Sequence, residues 1–235
     1  MDQTSKNARI AGLIYVMLAI VAPVRLMYIP GELFVRGDAA ATAANLVAHE
    51  SLFRFGIFTD VLTGTIALFV ALALYRLLKE VDQFQASLMV ILGAFMVTPI
   101  YFLNTLNDAA ALMFATDAAF LAPFSEAQRD AMAMLFLRLH GFGVAVNQVF
   151  WGLWLFPMGL LIWRSGFLPK FLGALLFVNG AAYLAQATID LLWPALSGGA
   201  SDLLFPALMG ELVVMLWLLI MGAKPRTAAA HQGER

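Results

Sequence analysis

The chain contains six long, almost uninterrupted apolar stretches, and this feature limits its fold more than any other. The hydrocarbon core of a bilayer is about 30 Å thick, so an α-helix needs about 20 mostly apolar residues to cross it. Because that core offers no hydrogen-bond partners, such stretches cross it as helices. The sequence therefore predicts an all-α, polytopic transmembrane helical bundle of about six spans. The predicted spans cover residues 8–29, 51–78, 84–107, 132–163, 168–192 and 203–223.

The composition supports a membrane protein and excludes several other classes. Of the 235 residues, 62% are hydrophobic and only 12% are charged, whereas soluble domains contain about 25% charged residues. These values exclude a soluble enzyme, and the formal net charge of −1 gives no attraction to nucleic acid. The absence of cysteine excludes disulfides, thiol catalysis and cysteine-ligated metal sites. We therefore expect the lipid bilayer as a partner and no nucleic acid.

Basic residues are concentrated at one end of the predicted bundle, and they predict its orientation. The loops at the opposite end hold only Arg36 and Arg129. By the positive-inside rule, both termini are predicted to be cytoplasmic. We expect residues 1–223 to form a single bundle domain, 224–235 a short cytoplasmic tail, and 108–131 an interfacial segment. The nine basic residues at the predicted inner end are Lys6, Arg9, Arg76, Lys79, Arg164, Lys170, Lys224, Arg226 and Arg235.

Polar and charged side chains within the spans are the candidate functional residues. A charged group costs about 2.5–3.5 kcal/mol at the centre of a bilayer, so such groups normally face the bundle interior. At 1.5 Å per residue, Asp60 lies about 24 Å above Arg76 and Glu211 about 20 Å above Lys224. All six spans carry polar groups at a similar height, which predicts an outward-facing polar cavity. The candidate ligand-binding residues are Arg25, Arg54, Asp60, Asp108, Arg138, His140, Asn147, Gln186, Asp190 and Glu211.

Helical spacing supports a shared interior for these residues. Asp60 lies midway between Gly56 and Gly64, and small residues at this spacing let a neighbouring helix approach closely. The charged set has three interpretations: interhelical ion pairs that fix the packing, a site for a substrate or for protons, or, mainly for Arg54 and Arg138, long side chains that extend to the membrane surface. Asp60 and Glu211 are the deepest acids, and they favour the second interpretation. One face of the fifth span carries a polar group every three or four residues: Asn179, Tyr183, Gln186 and Asp190.

Neither a metal nor a cofactor is predicted. Only His140 of the three histidines lies within a span, and a metal site needs several nitrogen or carboxylate ligands at fixed geometry. The sequence contains no Walker, GxSxG, HExxH or GxGxxG motif, but a desolvated carboxylate could act as a general acid. An enzymatic activity is therefore neither predicted nor excluded. We expect Asn179 to make interhelical hydrogen bonds, and Trp151 and Trp154 to face lipid or to pack between helices.

Four segments resemble a known bacterial family. They are ARIAGLIYVMLAIVA at 8–22, SLFRFGIFTDVL at 51–62, RSGFLPKFLGALL at 164–176 and PALMGELVVMLWLLIMG at 206–222. In this order over six spans, they resemble a family of integral membrane proteins that is defined only as a domain of unknown function. The resemblance covers about residues 8–222 and implies the topology and a location in the inner membrane of a bacterium. It implies no reaction, substrate, cofactor or catalytic residue.

Three functions are compatible with these features. The leading hypothesis is a protein that binds or transports a small molecule or ion in the outward-facing cavity. Asp60 and Glu211 would then exchange protons or bind a cation, while Arg54 and Arg138 would attract an anionic group. The alternative is a membrane-embedded enzyme that uses carboxylate acid–base catalysis on a lipid-like substrate, which predicts a lateral opening and an apolar pocket. The third is a structural or regulatory membrane subunit whose polar residues only lock the packing.

Overall fold

A computed structural model describes residues 2–116 and 118–225, and it is built from helices. Six helices in this part of the chain are long and apolar enough to cross a membrane, which confirms the predicted fold class. A seventh and shorter helix, which the sequence did not predict, lies between the first two spans. The helices are α1 (Gln3–Leu33), α2 (Ala39–Ala48), α3 (Glu50–Leu78), α4 (Gln83–Ala115), α5 (Glu126–Arg164), α6 (Lys170–Leu192) and α7 (Pro194–Ile220).

The helices α4 and α5 are longer than the spans predicted for them. Helix α4 continues to Ala115, and α5 begins at Glu126 and runs for 39 residues. The hydroxyl of Ser125 accepts the Gln128 N–H and the Gln128 side chain accepts the Ser125 N–H, which is a capping box that defines this start. The predicted interfacial segment 108–131 is therefore wrong for most of its length. Residues at both of its ends belong to the helices, and Asp108 lies inside α4.

Both described chain ends lie at the same end of the bundle. Gly222 packs against Ser5 and Arg9, and the Lys224 N–H donates to the carbonyl of Phe167 at 3.0 Å. An even number of crossings requires this arrangement. It also gathers the turns and termini that carry the predicted inner basic residues. Residues 226–235, which include Arg226, Arg235 and most of the predicted tail, lie outside the described residues.

Small residues bring neighbouring helices into backbone contact. A Cβ atom on Gly152 of α5 would lie 2.8 Å from the carbonyl oxygen of Gly180 on α6. One on Gly12 of α1 would overlap the backbone nitrogen of Leu219 on α7. In a bilayer, where lipid tails are as apolar as leucine, such close contacts are a principal source of helix association. In the half of the bundle near the chain ends, α1 and α7 are therefore held tightly together.

Two apolar clusters divide the interior into layers. The lower cluster, which includes Leu74 and Leu161, occupies the half of the bundle near the chain ends. The upper cluster includes Leu46 of α2 and Leu137 of α5, both largely buried. Helix α2 thus contributes to a cap over the upper half of the bundle. The buried charged side chains lie between these two layers.

Three of the six spans are irregular, and each irregularity lies near a proline. In α1, Pro23 is followed by a π-helical turn at Val24–Tyr28, and in α4 a π-helical turn at Ile91–Phe95 precedes Pro99. Helix α7 breaks at Met209, three residues after Pro206. Proline removes a backbone donor and disturbs the turn before it, which accounts for the π-turn that precedes Pro99. Pro30 likewise follows the π-turn of α1, whereas the break at Met209 follows its proline. Such π-turns occur frequently at functional sites.

Candidate functional site

A buried ion pair joins α1 to α4. The Arg25 Nε donates to Asp108 Oδ2 at 2.7 Å, and Nη2 lies 2.5 Å from Oδ1. The two side chains are 2% and 0% exposed, and the rings of Phe34 and Phe53 lie within 6 Å of the guanidinium carbon. Two-point contact between a guanidinium and a carboxylate is the strong form of this interaction. The pair therefore fixes the positions of α1 and α4.

Asp60 and His140 complete a charged cluster, which we define as Arg25, Asp60, Asp108 and His140. The His140 Nδ1 lies 3.1 Å from Asp108 Oδ1. One donor atom from each of Asp60, Asp108 and His140 lies within 4.8 Å of the others, so these three could hold a metal ion. Asn104 supports the cluster, because its Nδ2 donates to the His140 carbonyl at 3.3 Å. The cluster thus contains one residue from each of the helices α1, α3, α4 and α5.

The glycines beside Asp60 act as predicted. A Cβ atom on Gly56 would lie 2.8 Å from Ile29 of α1, and one on Gly64 would lie 2.9 Å from the Tyr101 Cβ of α4. Each glycine therefore brings a different helix against α3, one turn above and one turn below Asp60. The spacing seen in the sequence brings Asp60 next to both partners of the buried ion pair.

The charged cluster does not form the outward-facing polar cavity that the sequence predicted. Its four side chains are at most 4% exposed, and the upper apolar cluster, with Ile29 and Phe53, lies over them. The sequence could not show that α2 and the upper apolar cluster cover these residues. The cluster is a closed polar layer within the bundle.

Besides Glu211, five other predicted residues lie outside this cluster. Arg54 is exposed and pairs with Glu50 one helical turn away, with Nε 2.6 Å from Oε1, and Arg138 is also exposed. On α6, the Gln186 Nε2 donates to Asp190 Oδ1 at 2.7 Å, and the Ser197 hydroxyl donates to the same oxygen. The arginines therefore do not join the acids of the interior, and Gln186 with Asp190 forms a separate pair. Asn147 is buried in α5, one turn beyond Gly143.

Glu211 is held by side chains from two other helices. It lies in the first turn after the break in α7. The Tyr15 hydroxyl of α1 donates to Oε1, and the Glu211 N–H donates to the Asn179 Oδ1 of α6 at 2.7 Å. The interhelical role expected for Asn179 is confirmed. Gly210 contributes to this contact, because a Cβ atom there would lie only 3.1 Å from the Asn179 side chain.

A cavity of about 400 Å³ lies beside Glu211, between α1 and α7. Of the ten predicted site residues, only Glu211 lines it. All three helix irregularities reach it, through Pro23, Gly93 and Met209. It extends to the bundle surface, because the lining residues Met27 and Met209 are 67% and 39% exposed. The cavity thus opens sideways, between the first and last spans.

Five aromatic side chains form much of the cavity wall, and no lysine, arginine or histidine among the described residues lines it. Tyr15 packs edge-on against Trp154 with ring centroids 5.8 Å apart. Trp151 packs between Tyr101 and Tyr183 at 6.2 and 5.8 Å. The packing role expected for the two tryptophans is confirmed, and both side chains also line the cavity. The site therefore combines one carboxylate with electron-rich rings.

Sequence reasoning missed Tyr15 and the role of the helix breaks. Tyr15 carries one hydroxyl within an apolar stretch, and its position along the helix did not distinguish it from the apolar residues around it. Tyr183 was placed on the polar face of α6, which was a usable signal. Pro23 and Pro206 lie in the two spans that border the cavity, and their presence was the strongest unused signal for its position.

Comparison with known proteins gives a family and no activity. No solved structure matches the chain significantly. A protein of Archaeoglobus fulgidus described as uncharacterised is 30% identical over 79 residues, which cover 34% of this chain and 46% of that protein. The chain therefore spans less than half the length of that relative. The model of the family described as a domain of unknown function, DUF4386, matches residues 10–222. The protein is a multi-pass membrane protein and belongs to the DUF4386 family.

Proposed function

We propose that this protein binds, within the membrane, a small organic cation with an apolar body, and that Glu211 is the counter-ion. The observation that carries the proposal is the Glu211 carboxylate, which faces a cavity that no basic side chain lines within residues 2–116 and 118–225. An isolated carboxylate in an apolar site is strongly disfavoured, so it binds either a proton or a cation. A ligand with a positive charge replaces the proton at Glu211 without leaving net charge in the cavity.

The aromatic wall supports a cation over a neutral ligand. The faces of tyrosine and tryptophan attract cations within about 6 Å of the ring centroid, and quaternary ammonium groups are typically bound in this way. Tyr15 and Trp154 lie near the carboxylate, and Trp151 with its two tyrosine neighbours forms the opposite part of the wall. The volume is at the lower end of the range of about 300–1,000 Å³ for small-molecule sites. The aliphatic part of the lining suits the apolar body of the ligand.

The helix irregularities support exchange of the ligand across part of the membrane. Broken helices next to the binding site are common in transporters, because the break lets one half of a helix move against the other. Here the π-turn of α1 and the break of α7 border the same opening. We propose that movement at these two positions admits the ligand. Transport would then couple release of the cation to protonation of Glu211.

The location and orientation are part of this proposal. The basic residues described at the end with the chain termini, among them Arg76, Arg164 and Lys224, favour a cytoplasmic position for that end by the positive-inside rule. The membrane is proposed to be the bacterial inner membrane. Reporter fusions to either terminus test the orientation. A fluorescent protein that matures in the cytoplasm should fluoresce, and alkaline phosphatase, which is active only outside the cytoplasm, should be inactive.

The ligand proposal is tested with a pair of compounds of the same shape. Benzyltrimethylammonium carries a permanent charge, and neopentylbenzene is its uncharged carbon analogue. At a hundredfold excess over Kd, a ligand stabilises the folded state by about 2.7 kcal/mol, so we expect benzyltrimethylammonium to raise the Tm of the purified protein by several degrees. Glu211→Gln should remove this shift. Glu50→Gln, which neutralises an exposed acid, is the matched control and should retain it.

The two compounds also distinguish a charge-selective site from a general apolar pocket. If neopentylbenzene stabilises the wild type as much as benzyltrimethylammonium does, Glu211 is not the counter-ion and the proposal is wrong. An equal shift of the Glu211→Gln variant by the cation leads to the same conclusion. A shift by the cation alone, lost in Glu211→Gln, supports it.

A membrane-embedded enzyme is the second candidate, and the lateral opening favours it. A lipid-like substrate could enter between α1 and α7 and meet Glu211, whose contact with the Tyr15 hydroxyl would orient it as a general acid. The test is incubation of the purified protein with membrane lipids, followed by mass spectrometry of the lipids. Products that disappear with Glu211→Gln support this candidate, and an unchanged lipid profile excludes it for the lipids supplied.

A further inference from the structure

We propose that Asp60, Asp108 and His140 form a binding site for a divalent transition-metal ion of the Zn²⁺ or Mn²⁺ class. This site is separate from the cavity at Glu211 and does not depend on the function proposed for it. It combines one imidazole with two carboxylates, a donor set that suits both ions. The sequence predicted no metal site because only one histidine lies within a span. It could not show that two carboxylates from other helices lie beside that histidine.

Unpartnered polar atoms point to a ligand in this cluster. Asp60 Oδ2 and both ring nitrogens of His140 are buried and have no hydrogen-bond partner among the described residues. The residues are 1% and 3% exposed, so bulk water does not reach them. Buried polar groups in folded proteins are nearly always satisfied, and each exception needs an explanation. An ion bound to Asp60 Oδ2 and to one ring nitrogen of His140 explains two of these three atoms.

The geometry is close to that of a metal site. The three donor atoms lie within 4.8 Å of one another, so a central ion would lie no more than about 2.8 Å from each donor, against about 2.0–2.2 Å in zinc sites. Small side-chain rotations cover this difference. The 3.1 Å between His140 Nδ1 and Asp108 Oδ1 already matches two adjacent ligands. Because Arg25 contacts both Asp108 oxygens, Asp108 would bind the ion through one remaining lone pair.

A proton on His140 is the competing explanation, and the hydrogen-bond pattern disfavours it. With neutral imidazole, Arg25 offsets one of the two carboxylates, so the cluster carries one net negative charge and attracts a cation. Protonated histidine would neutralise it, but both of its ring nitrogens are donors and each would need an acceptor. Asp108 Oδ1 lies 3.1 Å from Nδ1 but outside hydrogen-bonding geometry, and Nε2 has no partner among the described residues. A metal ion uses one nitrogen as a ligand and leaves a single N–H to satisfy.

The test uses full-length protein purified without chelator and through a tag that contains no histidine. We expect elemental analysis to find about one transition-metal ion per chain. After removal of the ion, adding Zn²⁺ or Mn²⁺ should raise the Tm. His140→Gln and Asp60→Asn should each weaken metal binding by at least about tenfold, the lower limit even for residues that only support metal ligands. His49→Gln changes an exposed histidine and is the matched control. Glu211→Gln should leave metal binding unchanged.

A second readout keeps the test independent of stability. Co²⁺ bound to nitrogen and oxygen ligands has visible absorption bands that depend on its coordination, so titration with Co²⁺ measures occupancy directly. The proposal is overturned if the wild type neither retains nor binds any of these ions. It is also overturned if His140→Gln binds them as tightly as His49→Gln does. In either case, a proton or water is what satisfies His140.

Discussion

The charged cluster and the cavity at Glu211 handle buried charge in opposite ways. In the charged cluster, Arg25 and Asp108 lie in direct contact, and apolar layers close the site above and below. At the cavity, Glu211 has a tyrosine and an asparagine as partners, and open space lies next to its carboxylate. Both regions use α1 and α4. Tyr101 lines the cavity and packs against Gly64, one turn from Asp60.

The difference separates residues that hold the bundle together from those available to a ligand. Removal of one partner of a buried ion pair strongly reduces the stability of the fold, because the remaining charge is left unpaired in a medium of low dielectric. A lone carboxylate beside a cavity gives little to the packing, and its protein partners leave space for another group. We therefore expect substitutions in the first region to reduce stability, and those in the second to reduce ligand binding.

The largest effect should follow from breaking the buried ion pair. Arg25→Met leaves Asp108 without its guanidinium partner in a closed site, and removal of one partner of a buried pair typically costs about 3–5 kcal/mol. We expect a loss of this size in the free energy of unfolding. It can be measured by circular dichroism as sodium dodecyl sulfate is titrated into mixed micelles that contain a metal chelator.

The double variant Arg25→Met with Asp108→Leu is the control for this prediction. Replacing both partners of a buried pair with apolar side chains is often neutral or stabilising, so the double variant should recover most of the lost stability. If Arg25→Met alone costs less than about 1 kcal/mol, as exposed pairs do, the closed site described above is not the environment of this arginine.

The second effect tests the tight contact below the cavity. A methyl group on Gly12 would meet the backbone of Leu219, and overfilling a packed interface costs about 1–3 kcal/mol. We expect Gly12→Ala to lower the free energy of unfolding by this amount and to widen the opening between α1 and α7. Unfolding in mixed micelles measures the first effect, and accessibility of a cysteine placed at Met27 to a lipid-soluble thiol reagent measures the second.

Gly31→Ala serves as the comparison for Gly12→Ala. Gly31 lies on the same helix, and a Cβ atom there would meet nothing within 4 Å. Since alanine is favoured over glycine in a helix by about 1 kcal/mol, this variant should be as stable as the wild type or more stable. Because helix propensity favours alanine at both positions, an equal loss at Gly31, where a Cβ atom meets nothing, would show that the contact with α7 does not determine the loss at Gly12.

Much of the fold could be predicted from the sequence, because the bilayer imposes one dominant pattern. Span number follows from apolar length, and the close contacts at Gly56 and Gly64 follow from their spacing around Asp60. Helix α2 was missed because its alanine-rich segment is too short to cross a membrane. The extension of α4 through Asp108 was missed because polar residues were interpreted as the end of a span.

The candidate site could be predicted only in part, because rise per residue gives the height of a side chain but not its direction around the bundle. Arg25 and Arg54 were assigned to one cavity on the basis of height, yet Arg25 faces inward and Arg54 outward. Pairing between helices depends on their packing angles, which apolar patterning does not specify. The cavity itself results from breaks in α1, α4 and α7 whose combined effect appears only in three dimensions.

The third effect concerns the stability of the Glu211 variant and sharpens the contrast between the two regions. Glu211→Gln keeps an oxygen that can accept from the Tyr15 hydroxyl, and the backbone contact with Asn179 is unaffected. Since no ion pair is lost, we expect the free energy of unfolding to change by less than about 1 kcal/mol, the usual net contribution of a single hydrogen bond. The same detergent titration measures it. A loss as large as that of Arg25→Met would place Glu211 among the residues that hold the bundle together.

The smallest effect should come from Arg54, whose charge lies on the outer surface of α3. Its partner Glu50 is one turn away on the same helix, and the two side chains are 63% and 41% exposed. Exposed pairs of this type contribute at most about 0.5 kcal/mol, so Arg54→Gln should leave the unfolding curve almost unchanged. A loss of several kcal/mol would mean that Arg54 has a partner within the assembled protein, for instance in a second copy of the chain. Because Arg25 and Arg54 are the same residue type, the difference between their two variants measures how much burial and pairing alone contribute to the stability of this bundle.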